Sequence, residues 1–403
     1  MISIRNTDPR APVRRGKDPL GQSLPPYDWD RAPWNRWSFQ NIDACVRTNT
    51  IARGAQVLDW AEAPQDLAGL RFEGHDGAEL TLGDLLGGYV DGFLVTHRGR
   101  ILHESYHNGM TRQTRHLLMS VSKSLTSTAA GVLIGRGAMD PKAPVTEYMS
   151  ELTGTGWAGA TLQQVLDMTT GVRFVEDYDD PGCDIARLEY ASGWKPEPAG
   201  AAPGSCPDTT LGFIRTLTEC EAPHGARFSY RSIETDVLGL MIERVSGMPL
   251  ARTLSDLLWA PMGAEQDAYV SVDRDGTALA DGGICATLRD TARFGQTMLD
   301  GGRAGGRQVI PAAWVEDVRH GDHGRFDDQS REFMPNGRYR NMFWIRDVAR
   351  PVHISLGIYG QFIYADPDGE LLVTCLSSWP EALSDSGHSN TMRAIDAIAA
   401  ELG

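Results

Sequence analysis

Ser120 and Lys123 have the residue types and spacing of a nucleophile and its base. They stand three apart in the run Ser120-Val121-Ser122-Lys123. On a helix such a pair shares one face, so the amine can reach the hydroxyl. At a helix N-terminus, free N–H groups and the dipole favour negative charge on the serine oxygen. The same field, with burial, disfavours a protonated lysine, and a neutral amine is a base. Tyr230-Arg231-Ser232 follows the turn-like string HGARFS and precedes a helical pattern. A tyrosine near two cations would lose its proton more easily and could pass it to a leaving group. Each pattern also occurs by chance, and Tyr230 alone reads more readily as a packing residue than as a proton relay. A third string, His103-Glu104-Ser105-Tyr106-His107, matches the zinc-binding HExxH pattern. That pattern works only on a helix. Here Arg98-Gly99-Arg100 before it and Asn108-Gly109 after it are turn residues around a strand. On a strand the imidazoles would stand roughly 13 Å apart at ~3.3 Å per residue, so no metal is expected. No G-x-S-x-G, G-x-x-x-x-G-K-[ST] or dinucleotide glycine fingerprint occurs, which argues against an α/β-hydrolase elbow and a nucleotide site.

The elements that must position these groups follow from periodicity and turns. Residues 119–137 put Leu125, Ala129, Val132 and Leu133 on one helical stripe, with glycines where the helix should end. Before it, residues 90–108 read as a hairpin turning at His97-Arg98-Gly99-Arg100. Thr161 and Gln164 form a capping box that opens a helix through Met168. Residues 233–248 and 288–300 read as further helices. A section rich in Gly, Pro and Asp, 171–225, is a long loop of the kind that carries function. After Arg340 the strings MFWI, HISLGIYG, QFIYAD and LLVTCLSS read as strands, with DPDG at 366–369 as a hairpin turn and a closing helix at about 389–401. The order is strands, helical block, strands, helix. It predicts an α+β fold whose antiparallel sheet is assembled from both ends of the chain. The expected regions are an arm over 1–59 packing on the body, a sheet region from 60–117 and 285–403, and a mainly helical region over 118–284.

The chain has 403 residues, 41% of them hydrophobic, enough for a large core. A net charge of −15 repels phosphate backbones, so no nucleic-acid partner is expected. No run approaches the roughly 18 apolar residues of a membrane span, and the first residues lack an apolar signal region. The six cysteines are scattered without C-x-x-C pairs, and are expected as reduced thiols in a cytoplasmic protein.

Ordered short strings then add specificity. They are HLLMSVSKSL (116–125) and MDPKAPVTEY (139–148), with APWNRW (32–37), VLDM (165–168), EDY (176–178), SGW (192–194), FSY (228–230), TDV (235–237), DGG (281–283), GIYGQ (357–361) and LSSWP (376–380). Over nearly the whole chain these resemble the serine hydrolases of the class C β-lactamase and family VIII esterase type. The resemblance implies the penicillin-recognising fold, with Ser120 as acylated nucleophile, Lys123 as its base and Tyr230 as proton relay. It implies an oxyanion hole from the amides of Ser120 and Ile358. In the branch that cleaves linear amide oligomers, it further implies that Tyr178 hydrogen-bonds the scissile amide and Trp194 lies in a closing loop. Glu189, longer than that branch's Asp, would receive the substrate's ammonium end. Ser232, Asp281 and Tyr359 complete the expected substrate-binding set. Tyr230-Arg231-Ser232 departs from the β-lactamase Tyr-x-Asn, and Ser355-Leu356-Gly357 replaces its Lys-Thr-Gly strand motif. Efficient β-lactam hydrolysis is therefore not expected. The expectation is acyl transfer to water on small linear amides and short-chain esters, with no metal and no cofactor. A small-molecule substrate is the only expected partner, with a homodimer left open. A slow-turnover covalent β-lactam binder and a zinc peptidase on His103 and His107 are the rival readings.

Overall fold

The computed structural model describes residues 24–198, 200–322, 326 and 328–403; the first 23 residues of the expected arm lie outside them. The strands that matter to the site are β1 (Thr48–Ile51), β2 (Val90–His97), β3 (Arg100–Tyr106), β4 (His116–Leu117), β5 (Ala268–Ser271), β6 (Ile284–Ala286), β7 (Arg338–Arg340), β8 (Phe343–Asp347), β9 (Arg350–Gly357), β10 (Gln361–Asp366) and β11 (Leu371–Ser377). The main helices are α1 (Val121–Gly135), α2 (Asp184–Ala191), α3 (Ile233–Ser246), α4 (Leu288–Leu299) and α5 (Asp385–Leu402). The closing helix starts earlier than expected because Ser384 caps it, accepting from the Gly387 N–H.

The large sheet has seven antiparallel strands in the order β7-β8-β9-β10-β11-β2-β3. Its middle seam joins the two ends of the chain, with Val373 opposite Val95. β10 and β11 are buried at every position, so both faces of the sheet are covered. Successive residues point to opposite faces. Ile363 and Leu372 meet Gly295 of α4, where an added Cβ would lie 2.6 Å and 2.7 Å from their side chains. Phe362 meets His388 of α5 at 5.4 Å between ring centroids.

A second, four-stranded sheet, β1-β5-β6-β4, was not anticipated. Its strands have two to four residues, too short for a period-two pattern. β1 comes from the segment read as an arm, and β4 leads directly into the α1 elbow. The expected long loop 171–225 contains α2 and a short helix, Thr210–Ile214. The one-sided stripe expected on α1 is also corrected: every residue from Val121 to Leu133 is buried. Its polar face survives burial because each hydroxyl finds a partner. Ser124 donates to Met342 O, Thr126 to Ala280 O and Ser127 to Asn341 O, while Ser122 Oγ accepts from the Ile284 N–H.

Candidate active site

The site starts from a turn. β4 ends at Leu117, the Leu118 amide donates to Ile284 O, and Met119 takes a φ of 47° in the left-handed region. For a non-glycine residue this costs roughly 1–2 kcal/mol, borne here by the packing on both sides. The chain then enters α1 with Ser120 at the N-cap. An N-cap serine ordinarily accepts from the first-turn amides; Ser120 makes no such cap. Its Oγ instead lies 2.8 Å from Lys123 Nζ.

Lys123 is 1% exposed, and its ammonium also donates to Asp281 O at 3.0 Å, with Asp281 Oδ2 at 3.6 Å. The expectation of a neutral lysine is overturned. Burial does oppose the charge, but the carboxylates of Asp281, Glu176 and Asp236 around it favour it, and the Lys123 pKa is raised. Asp236 lies behind it, its Oδ1 accepting from the Ala280 N–H at 2.8 Å. Burial and then Asp281 push that carboxyl well above its usual range.

Tyr230 faces Ser120 and Lys123, with the Lys123 ammonium 5.3 Å from its ring centroid and Trp344 stacked 5.6 Å away. Two cations were expected beside it; it has one. The Arg231 guanidinium turns away to Glu234, Glu221 and Val172 O. Burial raises the Tyr230 phenol, and Lys123 only partly offsets this.

A small cavity opens at Ser120. Tyr178, Glu189, Trp194, Ser232, Asp281, Ile358 and Tyr359 all line it, so the structure brings the expected set together. Ile358 sits just beyond β9 rather than within it, in the turn to β10. Gly357 makes that placement possible: an added Cβ would lie 2.7 Å from Leu118 O, so only glycine lets β9 approach the elbow this closely. Tyr359 is buried, has a φ of 62°, and packs edge-on against Phe39. Trp194 is buried and anchored, its indole donating to Ser271 Oγ at 2.8 Å and its carbonyl accepting from Trp29 Nε1 at 2.9 Å.

Three neighbours of the site escaped the sequence reading. Glu176 accepts from the Tyr178 hydroxyl at 2.5 Å and from both the amide and hydroxyl of Ser232 at 2.6 Å and 2.7 Å. Its position two residues before Tyr178, on one side of an extended segment, was the available signal. Lys195 pairs with Glu189 at 3.1 Å and with Asp30 at 2.9 Å. Glu189 therefore does not stand as an open seat for a substrate's ammonium, because a side chain of the same protein is already there. Asp30 carried no sequence signal, lying in a coil far from the loop it joins. His103 on β3 and His107 just beyond its end do not stand as far apart at their tips as strand spacing implied. Both Nε2 atoms lean to Ser105 Oγ, each at 3.1 Å. Among the described residues no group of three or more His, Cys, Asp or Glu could hold a metal ion.

A serine at a strained strand-to-helix elbow, a lysine one turn on and a tyrosine facing both, set between a large antiparallel sheet and a helical layer, define a serine hydrolase of the penicillin-recognising fold. The chain belongs to the β-lactamase family, whose model matches residues 82–395. It is 36% identical over 379 residues to the 6-aminohexanoate-dimer hydrolase of Paenarthrobacter ureafaciens, covering 92% of this chain and 94% of that one. A Bacillus anthracis structure carrying a provisional 6-aminohexanoate-dimer hydrolase name superposes with a TM-score of 0.85 at 28% identity, over 94% of this chain and 97% of that one. A family VIII carboxylesterase shares the fold, with a TM-score of 0.58 at 17% identity over 79% of this chain and 94% of that one. No helix among the described residues is long and apolar enough to cross a membrane.

Proposed function

We propose that this enzyme cleaves amide and ester bonds of small linear substrates through an acyl-enzyme on Ser120. The observation that carries the reading is the 2.8 Å contact between Lys123 Nζ and a Ser120 hydroxyl left free of helix capping, at the wall of the cavity. Ser120 Oγ attacks the carbonyl carbon while its proton passes to the Lys123–Tyr230 pair. Because Lys123 rests as an ammonium, the pair must first have lost one proton. The amides of Ser120 and Ile358 receive the developing oxyanion. Tyr230 returns a proton to the departing amine or alcohol, and water then releases the acid. The Tyr178 hydroxyl donates to Glu176, which leaves its oxygen as an acceptor for a scissile amide N–H.

The named activity of the 36% identical relative makes 6-aminohexanoate oligomers the amide class to try. A carboxylesterase without useful amidase activity is the second reading, favoured by the Lys195–Glu189 pair. The test is hydrolysis of p-nitrophenyl butyrate and of the linear 6-aminohexanoate dimer, with Ser120→Ala as the blank. Ester turnover abolished by Ser120→Ala, with an acyl adduct on Ser120 in rapidly quenched wild type, supports the reading. Turnover that survives Ser120→Ala refutes it. Release of 6-aminohexanoate decides for the amidase; ester cleavage alone decides for the second reading.

A further inference from the structure

Of the four charged side chains that line the same cavity as Ser120, all but Asp281 form one linked group. Asp30 comes from the segment before the first sheet, Glu189 from α2, and Lys195 from just after Trp194. Lys195 Nζ lies 2.9 Å from Asp30 Oδ2 and 3.1 Å from Glu189 Oε1. The Lys195 side chain is only 14% exposed, and Asp30 Oδ1 is buried with no hydrogen-bond partner. Two carboxylates on a cavity wall, poorly hydrated and sharing one neighbour, make a seat for a cation, and the protein fills that seat with its own ammonium.

We propose that Lys195 sets substrate choice by occupying the place a free ammonium on the substrate would take, so that the enzyme favours acyl chains whose far end is uncharged. The proposal rests on the reading of Ser120 as the acylated nucleophile. A cationic tail has two ways in, and both cost. It can sit beside Lys195, where like charges repel in a site with little water. Or it can displace Lys195 from two charge-assisted hydrogen bonds and drive it into solvent. A neutral tail faces neither cost. An ammonium has three N–H donors, and the two carboxylates engage two of them, so one remains for a carbonyl, ether or hydroxyl on the substrate. Specificity here is exclusion by an internal competitor rather than new attraction.

A matched pair of esters tests this without changing the chemistry at Ser120: p-nitrophenyl 6-aminohexanoate, cationic at its far end, and p-nitrophenyl 6-acetamidohexanoate, neutral there. The ratio of their kcat/KM values is the readout. Wild type is expected to favour the neutral ester by about tenfold or more. Lys195→Met removes the charge and keeps the apolar stem, and should move the ratio about tenfold towards the cationic ester, whereas Lys195→Arg should hold the wild-type ratio. A lysine that merely ties the loops together would lower both rates and leave the ratio alone. The proposal is overturned if wild type favours the cationic ester, a result that needs no variant, or if Lys195→Met leaves the ratio where it was. If wild type turns over neither ester, it is the Ser120 reading that falls, and the proposal with it.

Discussion

Lys123 keeps a charge that burial alone would take from it. The carboxylates of Asp281, Glu176 and Asp236 work against desolvation and the Lys123 pKa is raised, while burial raises the Tyr230 phenol, so the pair holds its protons at neutral pH. A group whose pKa is raised sheds its proton only as pH climbs, so the activated form of the pair is scarce at pH 7 and grows with alkalinity. We expect kcat/KM for a p-nitrophenyl ester, corrected with the Ser120→Ala blank, to rise above pH 7 by up to about tenfold per unit. A plateau reached below pH 7 would show that Lys123 rests neutral. Tyr230→Phe should cost amides about 10²–10⁴-fold, since an amine must be protonated to leave, and p-nitrophenyl esters less than about tenfold. Equal losses on both substrates would remove Tyr230 from the leaving-group step. The Ser120–Lys123 pairing was legible because i,i+3 on a helix is a local relation. The charge state of Lys123 was not, because the carboxylates that set it come from three separate segments.

The helices and strands hold these groups through close approaches that glycine allows. In an exposed helix, replacing glycine by alanine stabilises by about 1 kcal/mol. At Gly295 the sign should reverse. The new methyl would strike Ile363 and Leu372 on β10 and β11, and overpacking of this kind costs about 1–3 kcal/mol. Urea unfolding of Gly295→Ala measures it, and an unchanged or raised midpoint would mean that α4 can lift off the sheet freely. Gly357→Ala should act on turnover instead. Its methyl meets the Leu118 carbonyl, pushing the Ile358 amide away from Ser120 and lowering kcat on the ester about tenfold or more. Wild-type kcat in that variant would argue against Ile358 as an oxyanion donor. Long periodic elements such as α1, α3, α4 and the strands after Arg340 could be read from the chain within a few residues. The second sheet could not, because two-residue strands such as His116–Leu117 exist only by pairing with distant partners.

At the scale of the whole molecule, two helices far apart in sequence close the two faces of one sheet. α4 covers the Ile363 side and α5 the Phe362 side. Deleting residues 385–403 should therefore bare one complete face and destroy cooperative unfolding, a loss readable as dye binding and rapid proteolysis. A sharp thermal transition in the truncated chain would show that α5 is dispensable. That the sheet draws on both ends was visible in the order of predicted elements. That charged groups from residues 30, 189 and 195 meet in one cavity was not, since such a meeting depends on how loops are laid over the finished body.

The seam between β2 and β11 has a consequence for how the protein comes into being. During synthesis Val90–His97 leaves the ribosome early and must wait for Leu371–Ser377, the partner that fills its open edge. Until then one edge of the β2–β3 hairpin is open, and β9, which joins that hairpin only through β10 and β11, cannot set the Ile358 amide beside the Ser120 elbow. The nascent chain is thus expected to be inert as a hydrolase and dependent on holdase chaperones until its last strand emerges. Activity should appear all at once, on release, rather than growing with chain length.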